Sequence, residues 1–469
     1  ATVIEKETFS ECKNLKTIEI PPDSELSAIF RYAFSETQIE SLTIPQKLNL
    51  LDDGWCDKTP KLNRLIMPHK SSYLMLKNDK LLIGKSDNDS DDFDLLHFAC
   101  RDINGDVTIP STVKQIGYFC FEDCMLINSI RFEPESQLEQ IKVGAFYSSM
   151  INKIDLPSSV IEIERECFFN CLNISEISIP SGVTKIGTSC FCMCTNLKKV
   201  NFSPDSKITA IESRMFYGSG IECISIPPTV TVIGPCAFYN CKRLKSIQIP
   251  SESNLESIEN DAFASASIES LFIPSKLEKL GEMWCDSTTN LSTISISPEN
   301  KIFTEINGQI IIGKSNKANQ FFDNFVFAVR TIEYLTVPSS ITTLCKSCLS
   351  GCNKLKSVTF LPDSMLTTIE EGAFAPSSLL YLTLPTSYKK VTNGALDKCE
   401  NFVSIELLAD SVEIEASSFS MAPNLLIASA PNAKEFKFNF HNLREEFTVF
   451  VLANSIVDFQ PDESKCIIS

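Results

Sequence analysis

Histidine is nearly missing from this sequence: His69, His97 and His441 are the only three in 469 residues. None stands near another or near a glutamate pattern, and no Gly-x-Ser-x-Gly turn occurs, so nothing assembles acid–base or nucleophilic chemistry. Long apolar runs are missing as well; none approaches the roughly 18 residues that would cross a bilayer as a helix. Basic residues are in deficit, 42 Lys and Arg against 59 Asp and Glu, for a formal net charge of −17. That balance argues against nucleic acid, whose phosphates would be repelled, and against adsorption to anionic lipid, which needs basic clusters. The expectation is a chain with no catalytic residues, no metal, no cofactor and no small-molecule substrate. A signal peptide is not seen in residues 1–10, which hold Glu5, Lys6 and Glu7 and no apolar stretch. The chain begins partway through a repeat, which leaves a leader upstream of Ala1 open.

Self-similarity is what the sequence has in abundance. Residues 157–179 (PSSVIEIERECFFNCLNISEISI), 180–202 (PSGVTKIGTSCFCMCTNLKKVNF) and 227–249 (PPTVTVIGPCAFYNCKRLKSIQI) share one frame of about 23 residues. Blocks one residue longer, at 21–44, 133–156, 203–226, 250–273 and 361–384, lack the second cysteine but keep Phe34, Phe146, Phe216, Phe263 and Phe374. The last apolar triad of each unit holds the register, from Leu15/Ile18/Ile20 through Ile174/Ile177/Ile179 to Phe402/Ile405/Leu407 and a fading Leu425/Ala428/Ala430. The x-Ile-x-Ile ending alternates with period two and is β-branched, so it predicts a short strand with one buried face, stopped by the following proline. One unit cannot bury its own stripe, but stacked units form a parallel sheet over a continuous core.

A longer period lies over the short one. Trp55-Cys56 answers Trp284-Cys285, and Ile83-Gly84-Lys85-Ser86 answers Ile312-Gly313-Lys314-Ser315, an offset of about ten repeats. Each tryptophan unit precedes an irregular insert, where bends or protruding hairpins are expected. The organisation is therefore repeats at 1–67, an insert at 68–109, repeats at 110–296, a duplicate insert at 297–337, repeats at 338–430, a cap at 431–455 and a flexible tail at 456–469.

The frame Pro-x-x-Val-x-x-Ile-Gly-x-x-(Ala/Cys)-Phe-x-x-Cys-x-x-Leu resembles the BspA-type leucine-rich repeat over roughly residues 1–430. The resemblance implies a β-rich leucine-rich-repeat solenoid, a right-handed superhelix with a parallel sheet on its concave face. It further implies a surface or membrane-associated protein that binds other proteins without catalysis. Leu349 and Leu396 at the phenylalanine site depart from the pattern but remain apolar.

Nineteen cysteines invite a disulfide or zinc reading. Cys12, Cys124, Cys171, Cys194, Cys241, Cys352 and Cys399 share one repeat column, and Cys120, Cys167, Cys190 and Cys348 another. Stacked as ladders they do not converge on a metal and read as small buried core residues. Reduced thiols in such number favour synthesis in the cytosol. Gly308 to Ser315 matches the phosphate-loop pattern, yet its interior Gln-Ile-Ile-Ile reads as a strand, so a hairpin is expected. Asp87–Asp92 starts like a calcium loop but has Asp92 where glycine belongs and Phe98 where glutamate belongs.

The final residues Cys466-Ile467-Ile468-Ser469 form a Cys-aliphatic-aliphatic-Ser box, which predicts a farnesyl group on Cys466 and plasma-membrane attachment. Asn88, Asn173, Asn201 and Asn290 lie in Asn-x-Ser sequons, which would suit the alternative, a cell-surface or secreted adhesin. Between the buried strand positions small hydroxyls dominate the outward face. Ile66, Phe272 and Tyr381 are the apolar exceptions with Cys223, and Arg131, Lys153 and Lys199 supply charge. These six, without Cys223, are the candidate contacts for a protein partner on the concave face.

Overall fold

A computed structural model describes residues 2–87, 91–391, 394–396, 399–415, 425–432, 435–439, 448–453, 457–460 and 466–468. Among these residues there is no helix. The fold is a parallel β-solenoid, with about 17 turns among the described residues, and it divides into two units, Ala1–Leu244 and Lys245–Ser469.

The turn over 157–179 shows how a repeat closes. Pro157 stops the preceding strand because it has no N–H to give a ladder, and its carbonyl accepts the Val160 N–H at 3.2 Å in a tight bend. A two-residue strand, Glu162–Ile163, then lies in register between Gln140–Ile141 and Lys185–Ile186. After a compact bend round Phe168, the strand Glu176–Ile179 alternates exposed and buried residues and pairs with Lys199–Phe202 along its whole length. From Ile39/Leu42 to Phe402/Ile405 the first two members of each apolar triad are buried, whereas third members such as Phe132 and Phe202 are half-buried.

The bend is itself a ladder. Glu166 and Asn170 both adopt left-handed backbone, φ 57° each. This turns alternate N–H groups along the stack: Glu166 to Thr188 O at 2.9 Å, Phe168 to Cys190 O at 2.9 Å, Asn170 to Cys192 O at 2.8 Å. Ser189 and Met193 repeat the device, as do Cys236 and Asn240. Left-handed backbone at a residue with a side chain costs on the order of 1 kcal/mol, a cost that the inter-turn hydrogen bonds offset. Close stacking also explains the Ile-Gly step: a Cβ on Gly187 would lie 2.3 Å from the Arg165 nitrogen of the preceding turn.

Two columns fill the space inside the bend. Phe121, Phe146, Phe168, Phe191, Phe216 and Phe238 stack face to face at 5.1–5.6 Å. Beside them runs a column of small donors. The thiols of Cys171, Cys194 and Cys241 donate to the carbonyls of Phe146, Phe168 and Phe216 at 3.0, 2.9 and 3.0 Å. Thr37 Oγ1 does the same to Phe34 O at 2.9 Å. The column is therefore polar as well as small: each thiol or hydroxyl finds an acceptor in a phenylalanine carbonyl that also takes a backbone N–H, from Ser149, Cys171, Ser219 or Thr37.

Both inserts lie within the solenoid instead of projecting as hairpins. Leu74–Lys77, Leu81–Gly84 and Leu95–Ala99 form an antiparallel trio whose last strand pairs in parallel with Gln115–Ile116. Phe303–Ile306, Ile310–Gly313 and Asn324–Ala328 repeat this arrangement against Thr343–Leu344. Each insert ends in a strand of the main sheet: Asn104–Ile109 pairs with Leu126–Phe132, and Tyr334–Val337 with Ser357–Phe360. The tryptophans mark where the phenylalanine stack is handed to an insert. Trp55 meets Phe34 edge-on at 6.3 Å and Phe98 at 5.7 Å, while Trp284 meets Phe263 at 6.4 Å and Phe327 at 5.1 Å.

Because Phe168 is enclosed by Phe146 and Phe191, Phe168→Ala should cost about 3–5 kcal/mol. Hydrogen exchange should show the loss concentrated in the turns that carry Phe146 and Phe191, as nearest-neighbour coupling requires. Unchanged protection at those turns would contradict the role given to the stack.

Candidate binding face

Strand alternation decides which residues the sheet displays. In the first unit the displayed face carries charged residues, and three of them are engaged within the chain. Arg131 bonds Asp106 at 2.7 Å, Lys153 lies 2.9 Å from Asp155, and Lys199 lies 3.9 Å from Glu176. Asp106 also accepts from Asn128 and from Ser129, which is buried and not displayed. Exposed pairs of this kind are worth little in stability, and they cover the face with mutually neutralised groups.

The second unit displays a different face. From Ser246 and Gln248 through Ser270, Thr293, Ser295, Thr336, Ser357, Thr359, Thr383 and Ser404, its outward side chains are hydroxyls and one amide, with Glu406 as the single formal charge. Three aromatics interrupt it. Phe272 is half-buried, whereas Tyr381 is 57% and Tyr334 is 66% exposed.

The residues expected to contact a partner are thus divided. Ile66, Arg131, Lys153 and Lys199 lie in the first unit, and Phe272 and Tyr381 in the second. Ile66 is half-buried and lines a cleft with Leu74 and His69 of the adjoining insert. Tyr334 was missed because residues 297–337 read as irregular. Its signal is present all the same: Ile332, Leu335 and Val337 repeat the triad spacing and are buried. Cys466 is expected to carry lipid; its backbone pairs with Val449 in the strand Cys466–Ile468, but its side chain lies outside the described residues. So do His441, Asn88 and the side chains of Leu425, Ala428 and Ala430.

The phosphate-loop look-alike is a hairpin. Asn307 and Gly308, both with positive φ, turn Phe303–Ile306 back onto Ile310–Gly313. Ser315 of the Gly-Lys-Ser step ties down the following loop, its N–H and Oγ donating to Asp323 at 2.8 and 2.6 Å. Ser86 repeats this on Asp94 in the first insert. The cysteines of the described residues are all free thiols. Burial pushes Cys171 and Cys241 up to about 12, which keeps them protonated as donors to the phenylalanine carbonyls.

Charge is also buried where the inserts rejoin the stack. Arg101 donates to Cys120 O at 2.9 Å and Phe119 O at 3.2 Å, and lies 4.6 Å over the Phe98 ring. Its guanidinium is 3.7 Å from the buried Glu122 carboxylate, which accepts the Lys58 N–H at 2.6 Å. Burial raises Glu122 to about 7, against the opposing pull of Arg101. The duplicate arginine, Arg330, bonds Ala328 O and Cys348 O at 3.2 and 3.1 Å and lies 4.4 Å over Phe327. Where the first copy has Glu122 the second has Ser350, which donates to Asp286. A cavity of about 300 Å³ lined by Trp284, Phe303, Phe327 and Arg330 lies beside this joint. Arg330 also donates to the buried Cys352 Sγ at 3.7 Å.

The sequence model of the BspA type leucine rich repeat region matches in six copies, over residues 1–77, 97–219, 209–313 and 320–441. No curated protein sequence matches the chain. Among solved structures, a leucine rich cell surface protein from Faecalibacterium prausnitzii A2-165 is similar at TM-score 0.55 and 19% identity, covering 84% of this chain and 95% of its own. A leucine-rich repeat protein from Bacteroides ovatus ATCC 8483 is similar at TM-score 0.53 and 21% identity, covering 79% and 99%. At these identities the likeness is one of fold.

Glu122 gives a pH prediction with a definite sign. Its folded value of about 7 exceeds the ordinary 4.5, so the folded state holds the proton longer and stability falls as pH rises from 4.5 to 7. Glu122→Gln should match the wild type near pH 4.5 and exceed it at pH 8 by roughly 2–3 kcal/mol in urea unfolding. Parallel pH curves for the two proteins would show that burial is not what controls this carboxyl.

Proposed function

The chain belongs to the BspA-type leucine-rich-repeat family, and from that premise we propose that it is a non-catalytic scaffold that binds protein partners on the sheet face. The observation that carries the reading is the displayed face of the second unit. It is a hydrogen-bonded, pre-formed surface with hydroxyls, one charge and exposed aromatic rings. Exposed aromatics on a rigid polar surface are where protein interfaces concentrate their binding energy. Pre-organisation by the sheet lowers the entropy cost of association. Phe272 and Tyr381 are the anchors in this reading. Arg131, Lys153, Lys199 and Ile66 have a secondary role, since their surroundings already engage or half-cover them.

Location has two readings. Farnesylation of Cys466 would tether the scaffold to a membrane, and it rests on the residues Cys466-Ile467-Ile468-Ser469 with Ser469 as the natural terminus. One lipid gives marginal attachment, so a second signal or a membrane-bound partner belongs to that reading. The alternative, a cell-surface adhesin, is favoured by the name of the structural relative from Faecalibacterium prausnitzii, a cell surface protein. Among the described residues no helix is long and apolar enough to cross a membrane.

Two experiments test these readings. Thr359→Lys, in the middle of the hydroxyl-lined face, should abolish retention of the partner on immobilised full-length protein. Arg131→Ala with Lys153→Ala should leave most of that retention. Partner capture indifferent to Thr359→Lys would move the site off this face. For location, the C-terminal peptide from the source cell should gain the mass of a farnesyl group, and Cys466→Ser should shift the protein to the soluble fraction. An unmodified peptide would leave the adhesin reading.

A further inference from the structure

Tyr334 and Tyr381 are not scattered. Tyr334 is registered with Ser357, and Ser357 with Tyr381, so the rings occupy one column of the sheet two strands apart. Parallel strands lie about 4.8 Å apart, which sets the column spacing between these tyrosines at about 9.6 Å. Lys356 lies 5.3 Å over the Tyr334 ring and is itself fixed by Glu333 at 2.7 Å, so the ring is supported from one side. Next to Tyr381 a groove of about 440 Å³ is lined by Thr359, Phe360, Leu361, Pro362, Pro385 and Leu408. No residue on its lining carries a charge.

We propose that this tyrosine column binds an uncharged, proline-rich segment of a partner in the polyproline II conformation, lying across the strands. The inference rests on the reading of the sheet face as a protein-binding surface and names the partner's chemistry. Three considerations select this occupant. The first is period. A polyproline II helix repeats every three residues at about 3.1 Å each, or about 9.3 Å per turn, close to the tyrosine spacing. An extended strand repeats its side at about 6.7 Å, and two α-helical turns span about 10.8 Å, so neither meets both rings as well. The second is hydrogen bonding. Polyproline II carries no internal backbone hydrogen bonds and exposes its carbonyls. Thr336, Ser357 and Thr359 present hydroxyl donors between and beside the rings. The third is charge. The chain has a formal net charge of −17, yet the groove lining carries no charge and the Lys356 and Glu333 side chains beside Tyr334 neutralise each other, which suits a neutral segment. Flat tyrosine faces packing on proline rings is the way aromatic-lined grooves recognise such segments.

The test uses the full chain and a fluorescein-labelled decamer of proline, with a glycine–serine decamer as control, followed by fluorescence anisotropy. Wild type should bind the proline peptide saturably and not the control. Tyr334→Ala and Tyr381→Ala should each weaken binding about tenfold, equivalent to about 1.4 kcal/mol. The corresponding Tyr→Phe variants should stay within about threefold, because the ring face is retained. Circular dichroism identifies any alanine variant that has lost its fold, and the phenylalanine variants provide a second comparison. Absence of saturable binding, or equal binding by the alanine variants, overturns the inference. Capture of an uncharged oligosaccharide with no response to the peptide would overturn it in favour of sugars. If Thr359→Lys loses the partner while the proline peptide never binds, the scaffold reading stands and this inference alone falls. If neither responds, both fall.

Discussion

The backbone hydrogen bonds from each turn to the next are the constraint on which the other features depend. They run through the long strands, the two-residue return strands and the phenylalanine bend, and the third set requires left-handed residues at fixed places such as Glu166 and Asn170. Once the turns are locked at that spacing, side chains at equivalent positions must stack on one another. A ring under a ring works, as the near-parallel pair Phe146–Phe168 at 5.1 Å shows. A thiol beside a carbonyl works as well, and Cys194 against Phe168 O at 2.9 Å is both small and a donor. Serine or threonine replaces cysteine in that column where Ser149, Ser219 and Thr37 stand, all buried. The column takes a small side chain, a donor at these positions and alanine at the buried Ala266.

The same constraint explains how inserts are tolerated. An insertion that keeps the ladders continuous must enter and leave in register, and both hairpins do so by lending their third strand to the return row. The joints are where large and unusual groups collect. Trp55 and Trp284 turn the stack edge-on, and Arg101 and Arg330 tie the insert to the next turn through backbone carbonyls and a phenylalanine face. The two copies differ in how the buried cation is accompanied, Glu122 in one and Ser350 near Asp286 in the other. An arginine held by backbone carbonyls and a phenylalanine face can be sustained without an acid at that position, as Arg330 is in the second copy.

Much of this was legible in the sequence, because a repeat states its own register many times over. The triads, the proline stops and the cysteine columns specify strands and core without long-range information. The left-handed bend was not legible, since Glu166, Ser189 and Cys236 are not residues that announce positive φ. The donor role of the cysteines was hidden because a buried thiol and a small apolar group look alike in a periodic pattern. On the face, Tyr381 stood out because its strand was recognised. Tyr334 did not, because an irregular approach masked the strand Tyr334–Val337. The engagement of Arg131 by Asp106 spans a turn, and only the assembled sheet reveals it.

A stacked sheet also imposes its period on whatever lies across it. Strand spacing is fixed by the backbone, so a ligand running along the stack meets a new side chain at each strand whether or not the sequence repeats there. Where outward residues are charged, as at Arg131, Lys153 and Glu176, each pairs with the neighbouring turn or along its own strand, and the surface is engaged within the chain. Where they are hydroxyls, neighbouring turns have little to offer each other, and the surface keeps its capacity for an outside partner. Two tyrosines separated by one serine in such a field make a periodic feature with the spacing of the sheet itself. Recognition on this fold is therefore a matter of matching a rise per turn before it is a matter of matching shape.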